Sequence, residues 1–171
     1  MSIEIERKFL VTGEGWRTMA SASMRMEQGY LVDVAALTQG LARSSVRVRI
    51  AGDAAWLNVK QAKAGIERLE FEYAVPLADA EIMLRELCNG RVEKIRHLVV
   101  IEGHAFEVDE FLGRNAGLVV AELELPSADT PFPRPAWLGA DVSHLERYYN
   151  VNLIAHAYSQ WSPAERAGES D

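Results

Sequence analysis

Cysteine is almost missing from this chain. Cys88 is the only one in 171 residues, so no disulfide can form within the chain and no thiolate cluster can hold zinc or iron. No apolar run approaches the roughly 20 residues that a membrane span needs. The opening Met1-Ser2-Ile3-Glu4 also lacks the basic-then-apolar layout of a signal peptide. The expected location is therefore cytoplasmic, with no membrane partner. Cations are in deficit, 18 Lys and Arg against 25 Asp and Glu for a net charge of -7, which argues against a nucleic-acid partner. There is no G-x-x-x-x-G-K-[ST] phosphate loop, and His97, His104, His144 and His156 show no metal-ligand spacing. An anionic ligand would have to rely on locally clustered cations, or on metal ions held by the surplus carboxylates.

What is present suffices for one core: 49% of the residues are hydrophobic, and the length suits a single domain over residues 1–161 with a disordered tail at 162–171. Period-two alternation marks strands at residues 3–11, 24–34, 45–50, 55–61, 67–75, 91–101, 105–111 and 118–125, about eight in all. The Gly52-Asp53 pair signals a hairpin, and Lys63-Ala64-Gly65 a further turn. Short helices are expected near 16–20, over 80–88 with Asp79 as its cap, and over 153–161. The three prolines within 127–135 cannot continue a sheet. The fold class is α+β, mainly β.

Strand after strand carries charges on the face opposite its apolar residues, and they come in like-signed pairs two residues apart. The acidic pairs are Glu4/Glu6, Glu70/Glu72, Glu107/Asp109 and Glu122/Glu124; the basic ones are Arg47/Arg49 and Lys94/Arg96, with Lys8, Lys60 and Arg68 added singly. Side chains at i and i+2 leave a strand on the same face, so each pair points one way. Alternation alone favours a sheet with one face in water. Adjacent like charges repel, however, and the apolar faces are larger than one or two short helices can cover. An eight-stranded antiparallel closed barrel with the charged face inward resolves both, with space for one small ligand. Paired Arg and Lys suit phosphate oxygens, and paired carboxylates suit Mg²⁺ or Mn²⁺. Together they point to a metal-bound polyphosphate.

With Glu4-Ile5-Glu6-Arg7-Lys8 the sequence resembles the CYTH superfamily, the triphosphate tunnel metalloenzymes. The resemblance continues through Gln28-Gly29-Tyr30-Leu31, Arg47-Val48-Arg49, Lys60, Arg68 to Glu72, Val92 to Arg96, Glu107-Val108-Asp109 and Glu122-Leu123-Glu124. It implies an eight-stranded tunnel in which Arg47, Arg49, Lys60, Lys94, Arg96 and, less centrally, Arg68 contact phosphates. Glu4, Glu6, Glu122, Glu124 and Asp109 would hold Mg²⁺ or Mn²⁺, while Glu70, Glu72 and Glu107 would serve either charge balance or metal. Lys8 would activate the attacking water if its pKa falls far below the free value of about 10.4. If Lys8 keeps its proton it clamps phosphate, and Glu6 or the metal must take that task. The activity implied is hydrolysis of inorganic tripolyphosphate. Adenylate cyclase and thiamine triphosphatase are the related alternatives, and a non-catalytic polyphosphate- or nucleotide-binding module is the alternative of another class. Family members are often homodimers. Residues 147–150, Arg-Tyr-Tyr-Asn, resemble the segment before a helix that closes one tunnel mouth.

Overall fold

The computed structural model describes residues 2–63 and 66–169. Its strands are β1 (Ser2–Val11), β2 (Ala20–Tyr30), β3 (Ser44–Ala51), β4 (Ala54–Gln61), β5 (Glu67–Val75), β6 (Arg91–Ile101), β7 (His104–Phe111), β8 (Val119–Glu124) and β9 (Leu138–Asp141). Neighbours run β5-β4-β3-β2-β6-β7-β8-β1, and β5 pairs back onto β1, so eight strands close into an antiparallel barrel. Closure depends on β1 changing partners along its length. Residues 2–5 pair with β5, residues 6–10 pair with β8, and Phe9 and Val11 meet β9 on the edge that β5 has left. Of the expected turn at 63–65, Ala64 and Gly65 lie outside the described residues.

Because the charged residues turn inward, the apolar alternates form the outer skin and need covering. Helix α2 (Leu77–Glu86) lays Ala80 and Leu84 on Val48 and Ala55. Trp16, Trp137 and Leu138 cover Phe9, Val99, Phe106 and Leu123. The C-terminal segment brings Tyr148, Leu153 and Trp161 onto Val92, Phe111 and Val120. Loops and short helical turns thus do most of the covering that regular helices do in other barrels. Among the described residues no helix is long and apolar enough to cross a membrane.

The structure corrects the sequence reading at several points. A ninth strand follows the prolines: Thr12 donates its N–H to Trp137 O (2.8 Å) and Val142 to Lys8 O (2.8 Å), so β9 uses an edge that only the closed barrel leaves free. Strand β2 runs over Ala20–Tyr30, and a short α1 (Val34–Thr38) occupies part of the expected connection, capped by Asp33. Helix α2 begins at Leu77, which puts Asp79 in its first turn, as a partner for the helix dipole instead of a cap. The helix expected at 153–161 is broken into α3 (Asn152–Ala155) and a 3-10 turn, Tyr158–Gln160. Tertiary bonds cause the break: Asn115 Oδ1 accepts the Tyr158 N–H (2.8 Å), and the Trp161 indole donates to His156 O (3.0 Å).

The disordered tail is corrected for residues 162–169. Ser162 and Glu165 cap α4 (Pro163–Arg166) reciprocally, and Tyr148 Oη donates to Glu165 O at 2.8 Å. Residues 170 and 171 lie outside the described residues.

Gly139 in β9 shows how tightly that strand is held. A Cβ there would meet the Leu10 carbonyl oxygen at 2.9 Å, and a backbone atom cannot swing aside. Gly139→Ala should destabilise the protein by about 1–3 kcal/mol, measured by denaturant unfolding.

Candidate active site

The barrel encloses a cavity of about 960 Å³. Glu4, Glu6, Lys8, Arg47, Arg49, Lys60, Arg68, Glu70, Glu72, Arg96, Glu107, Glu122 and Glu124 line it, from seven different strands. Arg47 and Arg49 stand on β3, four strands away from β8 in either direction round the ring, so they look across the lumen toward Glu122 and Glu124. Two expected site residues do not line the cavity. Lys94 and Asp109 are 1% and 0% exposed and pair with each other beneath the wall. Asp109 is therefore not placed to reach a lumenal metal, nor Lys94 a phosphate; alternation assigns both to the inward face but carries no information on depth.

Most lumenal charges are matched within the protein. Glu4 takes Lys60 (2.8 Å) and Arg68 (3.3 Å), and Glu6 lies 3.7 Å from Arg68. Glu72 takes Arg49 (2.9 Å), Glu70 takes Lys60 (3.4 Å), and Glu107 takes Arg96. Glu122 takes Lys8 (2.8 Å) and Arg96. Two charges stand outside this network: among the described residues neither Arg47 nor Glu124 forms an ion pair. Arg47 is 9% exposed, and its Nε has no hydrogen-bond partner. An unmatched buried guanidinium is costly unless an anion arrives.

The protonation states follow from this pairing. Burial alone would lower the pKa of Lys8, but Glu122 and Glu6 outweigh it, and the net shift is upward. Its Nζ also donates to Tyr148 O at 3.2 Å. In the ligand-free protein this pairing favours the protonated form of Lys8. Burial and then Glu122 push the Glu6 carboxyl above its usual range, against the pull of Lys8 and Lys60. For Glu122 burial acts upward, yet Lys8, Lys94 and Arg96 hold it well below that range. Burial and the adjacent Arg47 lower the Arg49 pKa.

A divalent cation can be tested against these donors. Glu6 and Glu124 are directly opposed cross-strand partners on β1 and β8, both facing the lumen. Opposed carboxylates repel unless a cation joins them, and Glu124 has no cationic partner among the described residues. Their hard oxygens suit Mg²⁺ or Mn²⁺, which bind through one or two carboxylates with phosphate oxygens and water completing the shell. Among the described residues no three His, Cys, Asp or Glu side chains form a ready-made cage. The donors thus fit a cation that is shared with a phosphate ligand.

Sequence reasoning assigned no role to Tyr30, Tyr149 or Asn150, which also line the cavity. The Tyr149 ring lies 6.0 Å from Lys8 Nζ and 5.6 Å from the Arg68 guanidinium. Arg147, the charged residue of that motif, instead donates to the carbonyls of Glu165 and Glu169.

The sequence model of the CYTH domain matches residues 2–158. The chain belongs to the CYTH family. It is 41% identical over 162 residues to a protein of Acetivibrio thermocellus named inorganic triphosphatase, covering 94% of this chain and 99% of that one. A Nitrosomonas europaea protein of the same name is 31% identical over 153 residues, covering 88% and 95%. Among solved structures, an inorganic triphosphatase superposes with a TM-score of 0.61 at 29% identity over 90% of this chain and 95% of its own. A Hippeastrum protein described as having a dominant triphosphatase activity gives 0.56 at 15% identity over 72% and 80%, a likeness of fold alone.

Proposed function

We propose that this CYTH chain is a cytoplasmic, Mg²⁺- or Mn²⁺-dependent hydrolase of linear triphosphates, with inorganic tripolyphosphate as its substrate. The single observation that carries the reading is the pair of lumenal charges that form no ion pair among the described residues: Arg47 on β3 and Glu124 on β8, across the barrel from one another. A polyanion answers the first and its metal counterion the second. The names of the curated relatives support the inorganic substrate.

In this reading Arg47, Arg49, Lys60, Arg68 and Arg96 hold the phosphate chain, and Lys8, protonated, clamps the reacting end. Forked guanidinium donors match phosphate oxygens and neutralise charge that grows on the leaving diphosphate. Glu6 and Glu124, with Glu4 and Glu122 near, would hold the cation, whose contribution is to withdraw charge from the phosphoryl oxygens. Water attacks the terminal phosphorus opposite the bridging oxygen, the P–O bond to the diphosphate breaks, and one water proton passes to the Glu6 carboxylate. The products are phosphate and diphosphate.

One observation favours a second reading. A cavity of about 540 Å³, mainly apolar, with Val32, Val34 and Ile154 in its wall, shares Tyr30 with the charged lumen. The organic group of ATP or thiamine triphosphate suits such a space better than an inorganic chain does. Incubation with tripolyphosphate, ATP or thiamine triphosphate and either metal separates the cases, with phosphate, diphosphate and cyclic AMP as readouts. Phosphate and diphosphate from tripolyphosphate, faster than from the other two, is the expected result. Cyclic AMP with diphosphate from ATP would make the chain a cyclase, and binding without turnover would make it a binding module.

A further inference from the structure

We infer that Asn58, a residue with no chemistry of its own, is the positioning residue that sets the phosphate-binding cations Arg49 and Lys60; this rests on the triphosphate reading. Asn58 is fully buried in the middle of β4, on the inward face two residues before Lys60. Asn is a poor strand former, and burying this amide is costly because its Oδ1 has no hydrogen-bond partner among the described residues. A position chosen only for packing would hold a branched apolar residue.

What the amide does is hold two like charges together. Its Nδ2 donates to Glu70 Oε1 at 3.0 Å and also to Glu72 Oε2. Turning the amide over would aim its oxygen at two carboxylates, so the donor orientation is the only one these neighbours accept. Glu70 and Glu72 leave β5 side by side and would splay apart without a shared donor. Each carboxylate in turn holds one lumenal cation, Glu72 the Arg49 Nη2 at 2.9 Å and Glu70 the Lys60 Nζ at 3.4 Å. The amide is thus the base of a rack: one NH₂ group, two carboxylates, two cations facing the lumen. This assigns Glu70 and Glu72 to charge balance, away from the metal. The cross-strand partner of Asn58 on β3 is Arg47, so the rack also borders the unmatched guanidinium.

The test is tripolyphosphate binding by titration calorimetry in EDTA, where no metal-dependent turnover occurs, with thermal unfolding as the fold control. Asn58→Leu keeps the volume and removes the donor. Its Kd should rise on the order of tenfold, as expected for two lost charge-assisted hydrogen bonds. In the Arg49→Met/Lys60→Met background the same substitution should change Kd by less than about twofold, because the groups through which it acts are gone. Effects that multiply independently in the two backgrounds would overturn the inference, as would an unchanged Kd in Asn58→Leu. If Asn58→Leu does not fold, Asn58→Thr, which keeps one donor, is read by the same two comparisons. A wild-type protein that neither binds tripolyphosphate in EDTA nor turns it over with Mg²⁺ or Mn²⁺ would instead sink the triphosphate reading, a result distinct from either.

Discussion

Arg47→Met is expected to lower kcat/KM for tripolyphosphate by about 10²–10³-fold, while the protein unfolds at an unchanged or higher temperature. The opposite signs are the point. In the ligand-free protein Arg47 is a buried cation without an ion pair among the described residues, and its Nε has no partner. It lies beside Arg49, whose pKa burial and Arg47 together lower. Replacing such a charge with a flexible apolar side chain of similar length removes an electrostatic strain, worth up to about 1 kcal/mol of stability after relaxation and water penetration. Catalysis should suffer because, among the described residues, no carboxylate pairs with Arg47, so its field is available to the phosphate. Steady-state kinetics and calorimetric unfolding on one preparation check both halves. A parallel loss of stability and activity would mean that Arg47 supports the fold and not the ligand.

The same reasoning shows how much of this molecule could be read in its sequence. Strands β5 and β6 have the bounds predicted from alternation, because their period of two is written in charges that tolerate no register slip. Barrel closure was legible from the mismatch between abundant inward charge and scarce helix. What could not be read depends on tertiary edges. Nothing in Leu138–Asp141 announces a strand; it exists because β5 releases one edge of β1 before Phe9. Likewise the C-terminal helix yields to a bond from Asn115, remote from it in sequence, and to one from the indole of Trp161 at its own end.

Within the site the charge pairs located the walls but not the depth or the pairing. Lys94 and Arg96 share a face, yet Arg96 reaches the lumen while Lys94 stays under it. Lys8 shows the limit of reading roles: its position on β1 was plain, but its protonation rests on Glu122, the residue opposite it on β8. Asn58 gave no signal at all, since an isolated Asn in a strand is commonly an edge or bulge residue and only the positions of Glu70 and Glu72 give it a task.

The second large effect concerns stability. Asp109→Ala should cost about 3–5 kcal/mol, enough to unfold much of a marginal domain. Asp109 is 0% exposed and accepts from Lys94 and, through both oxygens, from Arg96 Nε and Nη2 at 2.7 Å each. Its removal leaves Lys94, 1% exposed, as a buried cation beside another, and burial with the nearby Arg96 already lowers the Lys94 pKa. The paired replacement Lys94→Met/Asp109→Leu removes both charges and should recover most of that stability, since a buried ion pair exchanged for apolar volume is often neutral or better. Activity should not return with it. Arg96 keeps Glu107 and Glu122 but loses the two-pronged anchor that aims its guanidinium into the lumen, so turnover should stay depressed by at least about tenfold. Denaturant unfolding and kcat/KM on the single and double variants decide the matter. Recovery of both would mean that the Lys94–Asp109 pair only fills space, whereas recovery of stability alone ties Asp109 to the orientation of Arg96.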